Sequence, residues 1–219
     1  MMKKLVPLKE YIVSQKVIAH VSEEYAKLYR LPEGHRSIGI FTATNDDPCF
    51  MAMDDATKKV EIKALQVAPH FGGGHSTLSK VSGCVYGTFS APSVDKVKTA
   101  LRYIREFVEN RSEGFYFEGD ISSRFYAQCI PKMGKYYSEQ LKVPEGTPYA
   151  YMIGSPVEAV YALDRALKSG NVKLVRYIYP PARVNSGGGI IIGSEAACRA
   201  AREAFIEGLY AASRNKVRI

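Results

Sequence analysis

Two adjacent aspartates, Asp46 and Asp47, lie in the polar stretch 44–48, between a predicted strand and a predicted helix. The residue types of this stretch, Thr, Asn, Asp and Pro, are typical of turns. Paired carboxylates in such a turn can form a ligand-binding site. The same pair also suits an ordinary turn that caps the following helix. Both interpretations stay open on these residues alone.

A glycine-rich stretch inside a long predicted loop is the second candidate. Its residues are His70, Phe71, Gly72, Gly73, Gly74 and His75. The stretch lacks the Lys-Ser/Thr pair of a phosphate-binding loop and the spacing of a dinucleotide fingerprint. Because glycine permits many backbone conformations, the composition predicts a mobile loop. The two histidines either bind a metal across a symmetry axis or face solvent, and we assign them no metal.

The four cysteines indicate neither a zinc site nor a catalytic nucleophile. They are Cys49, Cys84, Cys129 and Cys198, without a C-x-x-C pair or a zinc-like cysteine–histidine spacing. A nucleophile needs a neighbouring base, and no motif indicates one. We therefore expect reduced thiols, no catalytic residue, no cofactor and no enzymatic activity.

The positive charge of the chain is spread along its length. Thirty Lys and Arg against 22 Asp and Glu give a net charge of +8, without a run of five like charges. No nucleic-acid-binding motif accompanies this surplus. No apolar run approaches the ~18 to 20 residues of a membrane span, and the N-terminus lacks signal-peptide features. The sequence thus predicts a soluble, intracellular protein without nucleic-acid or membrane partners.

Hydrophobic periodicity predicts alternating strands and helices in the first half. Strands are expected over 11–20, 37–43, 60–67 and 81–90, and helices over 21–30, 49–59 and 94–109. A polar, aromatic hinge follows over 110–120, and then a helical segment over 121–143 with a bend at Pro131. Residues 147–205 read as one unit of strand, helix, strand, glycine-rich loop, strand and helix.

Short matches in the same order relate the two halves of the chain. Pro-Glu-Gly recurs at 32–34 and 144–146, an offset of 112, and further matches pair 52–54 with 162–164, Val60 with Val172, and 82–83 with 186–187. An ordered set of matches indicates a duplication. We therefore predict an α/β (α+β) protein of two domains, 1–110 and 111–219. Each domain is expected to be a ferredoxin-like sheet with helices on one face. The strand over 11–20 is expected to join its sheet in circularly permuted order.

Several stretches resemble a known family. They are LPEGHRS and DDATK in the first half, and PVEAVYALDRALKS, NVKLVRY, the glycines 187–189 and GSEAAC in the second. Over roughly residues 10–215 the chain is similar to the shell proteins of the ethanolamine-utilisation bacterial microcompartment that carry two tandem, permuted BMC domains. The resemblance implies a non-enzymatic homotrimer that imitates a hexamer and packs laterally with other shell proteins. It also implies a gated central pore for metabolites or cofactors and smaller channels that bind ethanolamine.

The resemblance assigns residues to these features. The ethanolamine site matches Asp46, Asp47, Phe115, Val184, Asn185 and Ser186, with Phe117 as an alternative to Phe115, and the pore loop matches 70–75. Carboxylates can hold the ammonium group. An aromatic face adds cation–π attraction of ~0.5 to 2 kcal/mol. A ferredoxin-like regulatory module that binds a small molecule is the alternative function, and it predicts a small oligomer without lateral assembly.

Overall fold

The computed structural model describes residues 2–69, 83–179 and 186–214. Its elements in the first half are β1 (Leu5–Pro7), β2 (Ile12–Ile18), α1 (Glu23–Leu28), β3 (Ser37–Ala43), α2 (Asp47–Lys59), β4 (Lys63–Pro69), β5 (Val85–Ala91) and α3 (Val94–Asn110). Those in the second half are β6 (Gly114–Phe117), β7 (Asp120–Ile130), α4 (Lys135–Leu141), β8 (Tyr149–Gly154), α5 (Pro156–Lys168), β9 (Val172–Ile178), β10 (Gly187–Gly193) and α6 (Glu195–Arg214). The predicted mixed α/β class is confirmed.

The described residues form two compact units. The N-terminal unit contains residues 10–69, 83–112 and 134–140. The C-terminal unit contains residues 2–9, 113–133, 141–179 and 186–214. Strand β1 therefore belongs to the C-terminal unit, although it is the first element of the chain. Most of helix α4 belongs to the N-terminal unit, although it lies in the second half of the sequence.

The two sheets repeat one strand order. The N-terminal unit has the antiparallel order β2-β3-β5-β4, and the C-terminal unit has the order β1-β6-β7-β8-β10-β9. Strands β7-β8-β10-β9 thus correspond one to one with β2-β3-β5-β4, while β6 and β1 extend the second sheet beyond β7. The sheets therefore have the duplication that the short sequence matches indicated.

The duplication extends to unusual backbone angles. Arg30 and Lys142 end helices α1 and α4 with φ of 49° and 55°, and Gly34 and Gly146 follow with φ of 79° and 82°. A positive φ is uncommon for a residue with a side chain, and a left-handed residue is a frequent way to end a helix. The same offset of 112 positions separates 30 from 142 and 34 from 146. The two helix ends are therefore copies of one another.

Close cross-strand packing forms the core of the N-terminal unit. Phe41 on β3 pairs with Gly87 on β5, and a Cβ on Gly87 would lie 2.1 Å from the Phe41 ring. Glycine is required there because the ring lies over its Cα. Helix α3 covers the sheet with a buried apolar face that includes Val97, Leu101 and Ile104. This packing fixes the groove between α3 and β2 that is described below.

Small residues on α5 and α6 form the core of the C-terminal unit. Ala162 and Ala201 are fully buried in one cluster with Met152 and Phe205. Small side chains let helices pack close to each other and to the sheet, which explains the alanine-rich sequence of α6. Cys198 is buried in the same cluster, and all four cysteines are unpaired.

The predicted helical segment over 121–143 is wrong for most of its length. Residues 120–130 form strand β7, which pairs with β6 and β8, and only Lys135–Leu141 is helical. Buried residues from Phe125 onward lie in the middle of the sheet, so tertiary pairing decides the conformation of this apolar run. The predicted hinge over 110–120 contains strand β6.

Candidate functional site

Asp46 and Asp47 lie between strand β3 and helix α2, in the N-terminal unit. Asp46 is the N-cap residue of α2, Asp47 is its first residue, and Pro48 lies in the first turn. Proline is tolerated there because the first N–H groups of a helix have no intrahelical partner. Negative charge is favourable at this end of a helix dipole. The sequence 44–48 therefore places two carboxylates at a helix N-terminus.

A third carboxylate, Glu10, joins them, and sequence reasoning missed it. Its Oε2 accepts a hydrogen bond from Thr44 Oγ1 at 2.9 Å, and its Oε1 accepts one from Asn45 Nδ2 at 3.1 Å. Asn45 Oδ1 in turn accepts from the backbone N–H of Asp47 at 3.2 Å. We call Glu10, Asp46 and Asp47 the acidic corner. The pairing of β2 with β3 brings residue 10 next to the turn after β3. No local sequence pattern indicates this contact.

Burial disfavours the charged form of one member of the acidic corner. Only 6% of Asp46 is exposed. Burial raises the pKa of Asp46 to about 6, the negative charge of Glu10 adds to the rise, and backbone N–H groups of Asp46 and Asp47 act against it. Near neutral pH Asp46 is ionised at a cost in free energy, which a bound cation would reduce. The acidic corner is therefore suited to a small cation.

The two candidate phenylalanines differ in exposure, and both lie in the C-terminal unit. Phe117 is 2% exposed and packs in the core against Phe125. Phe115 is half-buried, and Arg202 lies over its ring with Cζ 5.8 Å from the centroid. That guanidinium also pairs with Glu113 at 2.9 Å. The face of Phe115 that lies towards Arg202 therefore already meets a cation.

The other predicted residues are described in part. Ser186 precedes β10 in the C-terminal unit, and its buried Oγ has no hydrogen-bond partner among the residues that the structure describes. Val184, Asn185 and the pore-loop residues 70–75 lie outside the described residues. The structure thus brings Asp46 and Asp47 together in one unit, and it places Phe115 and Ser186 in the other.

The described cysteines are unsuited to nucleophilic chemistry. Burial raises the pKa of the thiols of Cys49, Cys84 and Cys198, and it raises that of Cys129 to about 12. The thiolate, which is the reactive form, is therefore rare at neutral pH. Within ranges 2–69, 83–179 and 186–214, no group of three or more His, Cys, Asp and Glu side chains is placed to hold a metal ion. None of the described helices is both long and apolar enough to cross a membrane.

Helix α4 docks on helix α2 inside the N-terminal unit. The side chain of Asp54 on α2 is fully buried and accepts hydrogen bonds from the backbone N–H groups of Gly134 at 2.7 Å and Tyr137 at 3.0 Å. The hydroxyl of Tyr137 reaches the sulfur of Met51 at 3.9 Å. A buried carboxylate thus satisfies N–H groups at the start of a helix. Lys58 lies near Asp54 at i,i+4 spacing.

The surfaces of α4 and α2 that meet in this contact each have a counterpart in the repeat, on α1 and on α5, and both counterparts are exposed. Tyr25 on α1 corresponds to Tyr137 at the offset of 112, and it is 50% exposed on a helix without buried residues. On α5, Tyr161 corresponds to Met51 at the offset of 110 and is also 50% exposed. Asp164 corresponds to Asp54, and its side chain is 61% exposed beside Lys168. We call Tyr161, Asp164 and their neighbour Val157 the α5 surface.

Comparisons with known proteins agree with this architecture. No family model matches the chain. The bacterial microcompartment shell protein EutL of Clostridium perfringens is 34% identical over 204 residues, which cover 93% of this chain and 94% of that protein. The crystal structure of the ethanolamine utilization protein EutL from Leptotrichia buccalis matches with a TM-score of 0.93 and 37% identity, covering 100% of both chains.

A more distant solved structure is that of a trimeric bacterial microcompartment shell protein, PduB. It matches with a TM-score of 0.75 at 20% identity and covers 93% of this chain and 89% of its own. At this identity the likeness concerns the fold alone. The fold shared by these proteins is that of shell proteins, in agreement with the predicted tandem BMC architecture.

Proposed function

The chain belongs to the EutL family of bacterial microcompartment shell proteins, and we propose that it forms a homotrimeric shell tile that binds ethanolamine and has a gated central pore. The expectation of a structural protein of the microcompartment shell, without enzymatic activity, is confirmed by family membership. Membership also favours the shell tile over the ferredoxin-like regulatory module. The trimer, the ethanolamine site and the pore are proposals, and each is supported separately below.

The exposed copies of the docking surfaces support the trimer. Helix α4 buries its tyrosines on α2, whereas α1 and the α5 surface have no such contact among the described residues. If α1 of one copy docks on α5 of the next, the contact repeats the α4–α2 contact. Such a head-to-tail interface uses two different patches, and it closes into a ring of three when successive copies are related by a threefold rotation. A ring of three duplicated chains then has six equivalent docking positions.

The electrostatic partners are already present on the α5 surface. Asp54 and Lys58 on α2 are 3.9 Å apart, and Asp164 and Lys168 on α5 are 2.6 Å apart with the same i,i+4 spacing. Asp164 would accept a hydrogen bond from the backbone N–H of Ser22, the counterpart of Gly134, at the start of a neighbouring α1, whereas the N–H of Tyr25 already donates to Ser22 Oγ at 3.3 Å. The solvent-exposed apolar residues of α5 would become buried at the same time.

Native mass spectrometry tests the trimer. We expect a species of three chains for the parent, and mainly single chains for Tyr25→Glu and for Tyr161→Glu, because each substitution places a charge in every copy of the interface. Ile121→Glu is the control, since Ile121 is 58% exposed on β7 and outside both surfaces. A trimer that persists in both tyrosine variants would contradict this interface, and a monomeric parent would contradict the tile.

The acidic corner supports the ethanolamine site. Asp46 and Asp47 supply carboxylates for the ammonium group, whose three N–H donors need acceptors. Glu10 accepts hydrogen bonds from Thr44 and Asn45 and so holds the turn in place. The assignments of Phe115, Val184, Asn185 and Ser186 come from the family resemblance and are proposed with it.

Calorimetry with ethanolamine tests this site. A charge-assisted hydrogen bond contributes about 1.5 to 3 kcal/mol, so Asp46→Asn with Asp47→Asn should weaken binding by about a hundredfold or more. The matched control is Glu106→Gln with Glu118→Gln, which removes two exposed negative charges elsewhere. The mass of the assembled protein should be the same in the aspartate variant and in the control variant as in the parent. Parent-like affinity of the aspartate variant would disprove the assignment.

The glycine-rich loop supports the gated pore by composition. Residues 70–75 follow β4 (Lys63–Pro69) and precede β5, between two neighbouring strands of the sheet. Replacing Gly72, Gly73 and Gly74 by alanine restricts the backbone, and it should reduce the number of opening events in single-channel recordings from a planar bilayer. Unchanged opening statistics would argue against a gating role of these glycines.

A further inference from the structure

Strand β2 lacks a neighbour that its counterpart has. Among the described residues, β2 pairs with β3 alone and forms one edge of its sheet. Its counterpart β7 pairs with β8 on one side and with β6 on the other. An edge strand presents unpaired N–H and C=O groups that can accept another strand. The duplication therefore marks the outer edge of β2 as the position where a strand is missing.

A groove runs along this edge, within the N-terminal unit. It has a volume of about 440 Å³ and is lined by the consecutive residues 15–17 of β2 and by one face of α3. Side chains alternate between the two faces of a strand. A cavity that touches three consecutive residues therefore lies along the edge of the strand. We call it the β2 groove.

Four cationic side chains line the β2 groove, and no carboxylate does. They are Lys16, Lys98, Arg102 and Arg105, all exposed. None of them forms an ion pair with another described residue, although ion pairs at i,i+4 spacing occur on α5 and α6. Glu106 and Glu109 follow Arg102 and Arg105 at i,i+4 spacing on α3, but Glu109 Oε1 accepts from the backbone N–H of Ile12 at 3.3 Å, and no ion pair among the described residues neutralises the four charges.

A polar network fixes one wall of the groove. Arg105 Nη2 donates to Gln15 Oε1 at 2.7 Å, and Gln15 Nε2 donates to the backbone oxygen of Leu101 at 3.0 Å. Gln15 thereby links the edge strand to the helix and orients the guanidinium. Binding of an anion to a pre-oriented guanidinium loses less conformational entropy.

The equivalent slot of the C-terminal unit is filled by the chain itself. Strand β6 pairs with residues 120–126 of β7, and Glu113, which directly precedes β6, continues along that edge: its backbone oxygen accepts from the N–H of Ala127, the counterpart of Gln15, at 3.2 Å. Arg202 of α6 donates to the backbone oxygen of Ala127 at 2.8 Å and pairs with Glu113 at 2.9 Å, so the cation of that slot already has a carboxylate partner. The β2 groove has the same position in the repeat but is open and positively charged.

We propose that the β2 groove binds an extended, acidic peptide segment of a partner protein, which adds to β2 as a fifth strand. The main chain of the segment pairs with the edge of β2, and carboxylates on alternate residues reach the cations of α3 and β2. Alternation follows because only one face of the added strand meets the helix. The proposal does not depend on the trimer or on ethanolamine binding.

Fluorescence anisotropy with synthetic peptides on the full-length protein tests the proposal. The probe is a short labelled peptide that alternates glutamate with valine, and the comparison probe has prolines at alternate positions, which cannot pair as a strand. Lys98→Gln with Arg102→Gln should weaken binding of the first probe by about tenfold or more and leave the Gln15–Arg105 link intact. The control, Lys3→Gln with Lys173→Gln, removes two exposed charges outside the groove and outside α1 and α5.

Hydrogen exchange and native mass complete the test. The acidic peptide should protect amides of residues 12–18 from exchange in the parent and in the control variant. If the acidic peptide does not bind, the groove is not a peptide site and the proposal is overturned. If the proline-containing peptide binds equally well, or if equimolar pyrophosphate displaces the acidic peptide, the groove is a plain anion site and the proposal is also overturned. A lower particle mass in Lys98→Gln with Arg102→Gln would also overturn it, because the groove would then be an interface between copies.

Discussion

Replacing Asp46 by asparagine should stabilise the unliganded protein above pH 6 and leave its stability unchanged near pH 4. Burial raises the pKa of this carboxyl from 3.8 to about 6. Between these pH values the folded chain keeps a proton that the unfolded chain has lost, so the stability of the parent falls as the pH rises. Asparagine has about the shape of the protonated carboxyl and cannot ionise. The variant therefore avoids this loss.

The size of the effect follows from the shift. A difference of about two pKa units corresponds to about 3 kcal/mol. Because Asp46 is only 6% exposed, solvent screening reduces this value little. The free energy of unfolding of Asp46→Asn minus that of the parent should therefore grow by up to about 3 kcal/mol from pH 4 to pH 7 and level off above.

Urea unfolding of both proteins at fixed chain concentration, from pH 4 to pH 8 without ethanolamine, measures this difference. Asp95→Asn is the control, because Asp95 is exposed on α3 and loses little hydration on folding. A difference for Asp46→Asn that stays constant over the whole range would refute the reasoning, since a constant offset reports packing or hydrogen bonding and not ionisation.

Three further predictions concern Asp46 and two other buried contacts. Ethanolamine affinity should fall by about tenfold per pH unit below about 6, because Asp46 must lose its proton to bind the cation; calorimetry that finds no pH dependence would contradict this. Asp54→Ala should lower the free energy of unfolding by about 2 to 5 kcal/mol, because two backbone N–H groups lose their acceptor; parent-like resistance of α4 to limited proteolysis would count against it. Gly87→Ala should cost about 1 to 3 kcal/mol in thermal unfolding, because its Cβ would clash with the buried Phe41 ring; an unchanged melting temperature would show that the ring can move.

The repeat contained more structural information than periodicity alone. Periodicity predicted strands and helices where one face is apolar, as in α3, whose buried residues recur at helical spacing. It failed for 120–130, whose first half is polar and partly exposed and whose consecutive residues 125–128 are buried on both faces of the sheet, so that no alternation marks the strand. The offset of 112 aligns the end of this run with β2, which was predicted as a strand. The duplication therefore contained the signal that local pattern lacked. Strands β1 and β6 are short, and their pairing with each other is non-local.

The candidate site was predictable only where its residues are close in sequence. Asp46 and Asp47 are adjacent, so composition and turn chemistry located them. Glu10 joins them through strand pairing and through hydrogen bonds to Thr44 and Asn45, contacts between positions more than thirty apart. No local pattern encodes such contacts.

The exchange of β1 and α4 between the two halves of the sequence has a consequence for biosynthesis. Leu5 pairs with Phe117, so the first strand leaves the ribosome long before its partner does. Lys3 and Lys4 precede it, and charge next to an unpaired strand limits mispairing in the nascent chain. Asp54 likewise stays without its helix until the second half has been translated. A gene split after codon 112 would therefore produce two fragments that each lack a segment supplied by the other, and they should mature only when co-expressed.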